Sequence, residues 1–217
     1  MKNVKFKLSY ILVIAFAAII WVSACKNDDG DPVPVKKTVN DDGLTDDITN
    51  LVPAVVLDSI KGLEMTINGG NNPPDITNNY QADPFILKNS NIPDDFIGVR
   101  ESDYLVEFSN LDLINLTVDI KYLNGAERGT GVGGFIVGDG SKFSVFTEVN
   151  SVIGNDTADF VHVISGELNN DGIKDFFFAN FMIDDRGDPN DVFIELGQGR
   201  VLWDRDSLAE KRAPFSI

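Results

Sequence analysis

The feature that most constrains the fold of this chain is a succession of short apolar segments with a period of two, separated by turns rich in Gly, Asn and Asp. The clearest example is residues 114–122, where apolar side chains occupy every second position. Such alternation is typical of a β-strand with one buried face. We predict further strands at residues 80–87, 103–108, 134–137, 142–149, 158–168, 173–183, 192–196 and 200–204.

The connections between these segments predict the fold class. No long helical pattern separates them, which argues against parallel β-α-β units. Consecutive hairpins predict an all-β, antiparallel up-and-down meander of about eight or nine strands that closes into a barrel and buries its apolar face. A β-sandwich is the alternative, because two packed sheets bury the same face. One short helix is expected before the sheet, beginning at Pro53 and ending at Gly62.

Composition excludes several classes of protein. The chain has 217 residues, 43% of them hydrophobic, which is enough for one packed domain and excludes a wholly disordered chain. Its formal net charge of -16 argues against nucleic acid as a partner, because phosphate binding needs a basic face. The single cysteine excludes an internal disulfide framework and a cysteine-based zinc site.

The N-terminus has the pattern of an export signal. Residues 1–25 carry three lysines and no acidic residue, and an apolar run extends over residues 11–22. This run is shorter than the roughly 20 apolar residues of a membrane-spanning helix, and small residues follow it, as in a secretory signal. We therefore predict a signal peptide at 1–24, an acidic flexible tether at 25–50 and a single β domain at 51–217.

The tetrapeptide Val22-Ser23-Ala24-Cys25 resembles the lipobox of bacterial lipoproteins. The resemblance implies cleavage before Cys25 and attachment of diacylglycerol and an amide-linked acyl chain, such as palmitate, to that residue. Because two or more acyl chains hold a protein firmly, the membrane would be a partner of this chain. An ordinary signal peptide or an uncleaved anchor, with a chance cysteine, is the alternative.

Two further resemblances bear on location and fold. Residues 26–31, a lysine followed mainly by acidic residues, look like the surface-export signal of Bacteroidota lipoproteins. This implies an outer-membrane protein displayed on the cell surface, and an orientation towards the periplasm is the alternative. Residues 63–76 and 163–176 resemble a family of uncharacterised Bacteroidota surface lipoproteins. That family implies a lipocalin-like barrel without an established activity.

One acidic turn has the spacing of a calcium loop. In residues 167–175, oxygen-bearing side chains stand at the first, third, fifth and ninth positions, with glycine at the sixth. The candidate calcium ligands are Glu167, Asn169, Asp171 and Asp175. Phe178 stands where such loops end in an acidic residue, so a plain hairpin turn is the preferred interpretation. A second acidic turn, at 184–191, is expected at the opposite barrel end, near Asp156, because alternate turns of a meander share an end.

Two other segments are interpreted from their neighbours. His162, the only histidine, shares a strand face with Phe160 and Ile164, which predicts a packed, hydrogen-bonded core histidine. The glycine-rich segment 129–134 precedes a strand and not a helix, so it lacks the helix N-terminus that binds phosphate. We predict a flexible hairpin loop there.

No sequence motif assigns catalytic residues or a cofactor. The function we expect is a non-catalytic ligand-binding or interaction module, whose partner is a small molecule, a glycan or an envelope protein. A structural or assembly subunit of an envelope complex is a second expectation. A carboxylate-dependent hydrolase is a third, because glycoside hydrolysis needs two acids about 5–10 Å apart, but no motif selects such a pair.

Overall fold

The computed structural model describes residues 35–217. The predicted signal peptide, the lipidation site Cys25 and the predicted export signal at 26–31 therefore lie outside the described residues. Within residues 35–217, no helix is both long enough and apolar enough to cross a membrane.

The described chain contains two short helices and eleven strands. The helices are α1 (Asp46–Leu51) and α2 (Ala54–Gly62). The strands are β1 (Asn71–Asn72), β2 (Asn78–Ala82), β3 (Phe85–Ser90), β4 (Tyr104–Asp112), β5 (Thr117–Asn124), β6 (Glu127–Asp139), β7 (Lys142–Ile153), β8 (Asp156–Leu168), β9 (Gly172–Asp184), β10 (Gly199–Asp204) and β11 (Leu208–Lys211). The predicted helix at the start of the domain is confirmed as α2, with Pro53 at its N-cap.

The packed structure begins before the predicted domain boundary at residue 51. Thr45 caps α1, because its side-chain oxygen accepts a hydrogen bond from the Ile48 N–H at 3.3 Å. Leu44 and Ile48 are at most 1% exposed, although both lie within the predicted flexible tether at 25–50. Burial of these apolar side chains offsets the entropy cost of ordering the segment.

The sheet closes on itself through its last strand. Strands β4 to β9 form consecutive antiparallel pairs, β2 pairs with β4, and β11 pairs with both β2 and β9. The predicted antiparallel all-β fold with a barrel-like sheet is therefore confirmed. Strand β11 occupies the N-terminal part of the β9 edge, and β10 occupies its C-terminal part and also pairs with β3.

Three predicted strands differ from the structure. The first residues of the predicted strand 114–122 form the turn between β4 and β5, and β5 begins at Thr117. Residues 192–196 belong to the loop between β9 and β10, and their apolar side chains Phe193 and Ile194 pack against the interior core. These two residues are adjacent, and Val192 and Leu196 of the alternating pattern are exposed, so the alternation at 192–196 does not mark a buried strand face. The predicted strand 80–87 is divided into β2 and β3 at Pro84, whose nitrogen has no hydrogen to donate to a strand ladder.

The glycine-rich segment 129–134 lies within β6, so the prediction of a flexible loop was wrong. A Cβ atom at Gly129 would lie 2.5 Å from the carbonyl oxygen of Asn150 on β7 and 2.6 Å from a ring carbon of Tyr122. Glycine is required there because backbone and ring approach so closely. The missing side chain leaves the space that the Tyr122 ring occupies.

Apolar side chains form two cores on opposite faces of the sheet. The interior core contains the largest aromatic side chains, among them Tyr80, Tyr104, Tyr122, Phe108, Phe143, Phe160, Phe176 and Phe178. The outer core joins the helices to the sheet and includes Leu44, Ile48, Val56, Ile60, Val137, Phe146, Val161, Val163, Ala179 and Val201. Strand β8 is buried on both faces, which explains its nearly continuous apolar sequence.

Candidate functional site

A cavity lies at the barrel end where β4 and β6 begin and β5 ends. We call it the barrel-end pocket. Its walls are formed by Phe85, Glu101, Tyr104, Tyr122, Asn124, Glu127, Phe178, Asn180, Arg200 and Leu202. Its volume of about 60 Å³ has room for several water molecules or one ligand of a few heavy atoms, since one water needs roughly 10–15 Å³ on this measure.

One polar wall of the pocket is built around Tyr122. Its hydroxyl donates a hydrogen bond to Glu127 Oε1 at 2.6 Å and contacts the Ser151 hydroxyl. Ser151 pairs with Gly129 across the β6–β7 ladder, so the sheet register brings these groups together. Burial raises the pKa of the Glu127 carboxyl, and hydrogen bonds from Tyr122 and Ser151 oppose that effect. Burial also raises the pKa of Tyr122, which keeps its hydroxyl protonated and able to donate.

Arg200 lines a second polar wall and forms an ion pair with Asp95, which stands outside the lining. Arg200 donates from Nε and Nη2 to the two carboxylate oxygens of Asp95, both at 2.7 Å. The Ser90 hydroxyl donates to the same carboxylate at 2.6 Å. The hydrogen bond from Arg200 lowers the pKa of Asp95, and the same bond raises the pKa of Arg200. This bidentate geometry fixes the guanidinium and neutralises its charge locally.

The Tyr104 hydroxyl has no hydrogen-bond partner among residues 35–217. Tyr104 lines the pocket and is only 1% exposed. Its ring is held by Phe178, with centroids 4.6 Å apart, and by Phe85, with centroids 5.3 Å apart. Leaving a buried hydroxyl unpaired costs about 1–3 kcal/mol. A molecule that enters the pocket and forms a hydrogen bond with this hydroxyl would remove that cost.

His162 lies in the interior core beside the pocket walls. Its ring centroid is 4.8 Å from that of Tyr122 and 4.7 Å from that of Phe178, and it shares a face with Phe160 and Ile164 as predicted. The predicted hydrogen bonding was wrong, because neither ring nitrogen has a partner in the described part of the chain. The surrounding aromatic rings supply no strong acceptor. Burial lowers the pKa of His162 to about 3, so the imidazole is neutral near pH 7.

The predicted calcium loop is the turn of the β8–β9 hairpin, as preferred from the sequence. Asn169 Oδ1 accepts hydrogen bonds from the N–H groups of Asp171 and Gly172, both at 2.8 Å. Glu167 accepts a hydrogen bond from a serine hydroxyl of the β6–β7 turn at 3.0 Å, and Asp175 is exposed. Residues 35–217 contain no group of three or more His, Cys, Asp or Glu side chains that could hold a metal ion. Calcium binding at this turn stays a prediction.

The second acidic turn lies at the same barrel end as the pocket. Asn190, within the turn 184–191, donates to both carboxylate oxygens of Asp156 at 2.9 Å, which confirms the predicted placement near that residue. Glu127 pairs with Ile153, at the end of β7 and shortly before Asp156. The barrel end that holds the pocket therefore also carries Asp156 and the four aspartates of this turn, which we call the acidic rim.

The pocket residues were not among the sequence-predicted site residues. Glu127 and Arg200 stand at the first positions of their strands or next to them, and Glu101 precedes β4. Charged residues at strand ends that also face inward are the signal that could have identified a barrel mouth. To read that signal, the strand register must be known. The prediction of a loop at 129–134, which lies within β6, gave the wrong start for that strand.

Comparison of the chain with protein families, with curated proteins and with solved structures found no match. The resemblance to Bacteroidota surface lipoproteins, and the lipocalin-like fold that this resemblance implies, therefore stay predictions.

We expect Tyr104→Phe to raise the free energy of unfolding by about 1 kcal/mol, because it removes a buried hydroxyl that has no partner. Tyr80→Phe is the matched control: the Tyr80 hydroxyl donates to the Ile76 carbonyl at 3.1 Å, and its loss should lower the free energy of unfolding by about 1 kcal/mol. Urea unfolding measures both changes. A Tyr104→Phe variant as destabilised as Tyr80→Phe would show that the Tyr104 hydroxyl has a partner.

The buried imidazole predicts a loss of stability in acid. The pKa of His162 is about 3 in the folded chain, against about 6.5 when unfolded, so the unfolded state binds more protons between these values. The contribution of His162 to stability therefore falls as the pH falls through this window. In His162→Phe, which keeps an aromatic ring, stability should depend less on pH between about 6.5 and 4. Denaturant titrations at several pH values measure the free energy of unfolding. If this free energy changes equally with pH in the two proteins, the prediction is contradicted.

Proposed function

We propose that this protein is a lipid-anchored bacterial surface lipoprotein that acts as a non-catalytic ligand-binding module, with the barrel-end pocket as its binding site. The observation that carries the binding role is the buried Tyr104 hydroxyl in the pocket wall, which has no partner in the described part of the chain. Nearly all buried polar groups in proteins have a hydrogen-bond partner. A bound molecule would supply the partner that Tyr104 lacks.

The walls of the pocket support binding because they are already fixed. The Asp95–Arg200 pair and the Tyr122–Glu127 hydrogen bond hold four side chains in place without a ligand. A preorganised site avoids the entropy cost of ordering side chains during binding. His162, the only histidine, is enclosed by aromatic rings, which favours binding over chemistry that depends on a histidine base.

Attachment to the outer membrane is proposed from the N-terminal sequence. An apolar signal core is followed directly by Val22-Ser23-Ala24-Cys25, which supports lipidation of Cys25. The lysine and acidic residues at 26–31 support display on the cell surface over an orientation towards the periplasm. A surface location would give the pocket direct access to molecules outside the cell.

Cys25→Ala should move the protein from the membrane fraction to the soluble fraction, because no acyl chain can then be attached. Asn27→Ala is the control that keeps the cysteine, and this variant should remain with the membrane. Fractionation of cells followed by immunoblotting measures the distribution. Retention of Cys25→Ala in the membrane would contradict lipid anchoring. Protease treatment of intact cells separates surface display, in which the chain is cut, from a periplasmic orientation, in which it is protected.

Ligand binding is tested by a metabolite and glycan screen on the detergent-solubilised lipoprotein, with and without calcium. We expect a small ligand whose affinity falls at least about tenfold in Tyr104→Phe, because one hydrogen bond is lost. The affinity should be unchanged in Tyr80→Phe. Binding that is insensitive to Tyr104→Phe would contradict the assignment of the pocket. Hydrolysis of a bound glycan would favour the hydrolase alternative, and absence of any ligand would contradict the binding role and favour an assembly subunit.

A further inference from the structure

The barrel-end pocket has an excess of negative charge. Its one arginine, Arg200, is paired with Asp95, while the carboxylates of Glu101 and Glu127 also line the cavity. Residues 184–191, at the same barrel end, contain four aspartates of the rim and one arginine, Arg186, which is paired with Asp159. A cleft lined by one sign of charge concentrates ions of the opposite sign, especially where apolar walls keep water out. The pocket therefore favours a cation over an anion or a neutral molecule.

The apolar part of the pocket wall is aromatic. Phe85, Tyr104, Tyr122 and Phe178 contribute their rings. Tyr104 is in contact with the other three, at centroid distances of 4.6 to 5.7 Å. Aromatic faces attract organic cations, and they also pack well against alkyl groups. The wall thus suits a cation that carries a hydrocarbon part.

The acceptors in the pocket suit a donor with several N–H bonds. Tyr122 and Ser151 donate hydrogen bonds to the Glu127 carboxylate. Its two oxygens offer about four acceptor sites, so the carboxylate can accept another hydrogen bond. The unpartnered Tyr104 hydroxyl is a further acceptor. A primary ammonium group has three N–H donors and can bind both at once.

Size and ligand chemistry separate an organic cation from a metal ion. Calcium takes about six to eight oxygen ligands, and the described residues provide no cluster of three or more carboxylate, histidine or cysteine side chains. The volume of about 60 Å³ exceeds what a bare ion needs and is too small for a sugar ring with its hydroxyl groups.

We propose that the ligand of the barrel-end pocket is a small primary alkylammonium ion. Its ammonium group donates to Glu127 and Tyr104, and its alkyl group packs against Phe85 and Phe178. This inference rests on the proposed ligand-binding function and names the chemical class of the ligand. The acidic rim raises the local concentration of the cation.

Isobutylammonium and isobutanol test the inference, because they share one carbon skeleton and differ in the charged group. Titration of the detergent-solubilised lipoprotein at pH 7, followed by calorimetry, should show at least about tenfold tighter binding of isobutylammonium. Equal affinities would overturn the ammonium inference and leave the ligand-binding function standing. If neither probe binds but another screened molecule does, and its binding depends on Tyr104, the ammonium inference is likewise overturned and the ligand-binding function stands. If no molecule binds at the pocket, both proposals fail.

Glu127→Gln tests the role of charge, because the amide keeps the size of the side chain and an oxygen that can accept from Tyr122. We expect at least about a tenfold loss of isobutylammonium affinity and no change for isobutanol. Glu148→Gln, which changes an exposed carboxylate of β7, is the matched control and should bind like the unmodified protein. Thermal unfolding of each variant establishes that it is folded. An unchanged isobutylammonium affinity in Glu127→Gln overturns the proposal. Competition with calcium chloride is a second test: if calcium displaces bound isobutylammonium at a concentration below that of the ammonium ion, the pocket prefers the metal ion and the proposal is overturned.

Discussion

Closure of the sheet through β11 is the constraint on which the rest of the structure depends. An open antiparallel sheet leaves unpaired N–H and C=O groups along both outer strands, and β11 removes this problem by pairing with β2 on one side and β9 on the other. Once the sheet is closed, its inner face can only be filled by side chains. The interior core meets that requirement with large aromatic rings in tilted and stacked contacts.

The filled interior determines where polar chemistry can occur. The interior core consists of buried apolar and aromatic side chains, and His162 has no partner for either ring nitrogen within residues 35–217. At the end near Glu127, inward-facing positions carry the charged side chains of Glu127 and Arg200, and there the rings leave a cavity. Asp204, on the same face of β10 as Arg200, is a further acidic residue that the fold buries. The helices lie over the outer face of β7 and β9, among other strands, and take no part in the pocket. The candidate site is thus confined to one barrel end by packing.

Much of this fold follows from the sequence, because a period of two and short polar turns are local signals. The strands β7, β8 and β9 and the two acidic turns were placed correctly on that basis. The errors have a common cause. Residues 192–196 alternate like a strand, but they form a loop in which Phe193 and Ile194 pack against the interior core. Gly129 lies in a strand, where its glycine gives room to the Tyr122 ring. Both depend on contacts with residues that are distant in the sequence, as does the pairing of Arg200 with Asp95.

The division of the β9 edge between two strands has a mechanical consequence. Its N-terminal part, bound to β11, carries the closure of the ring, whereas its C-terminal part, bound to β10, carries Phe178 and Asn180 of the pocket wall. The residues of β9 that wall the pocket and those that close the ring are therefore held by separate sets of hydrogen bonds, so loss of the β9–β10 pairing would leave the β9–β11 pairing in place.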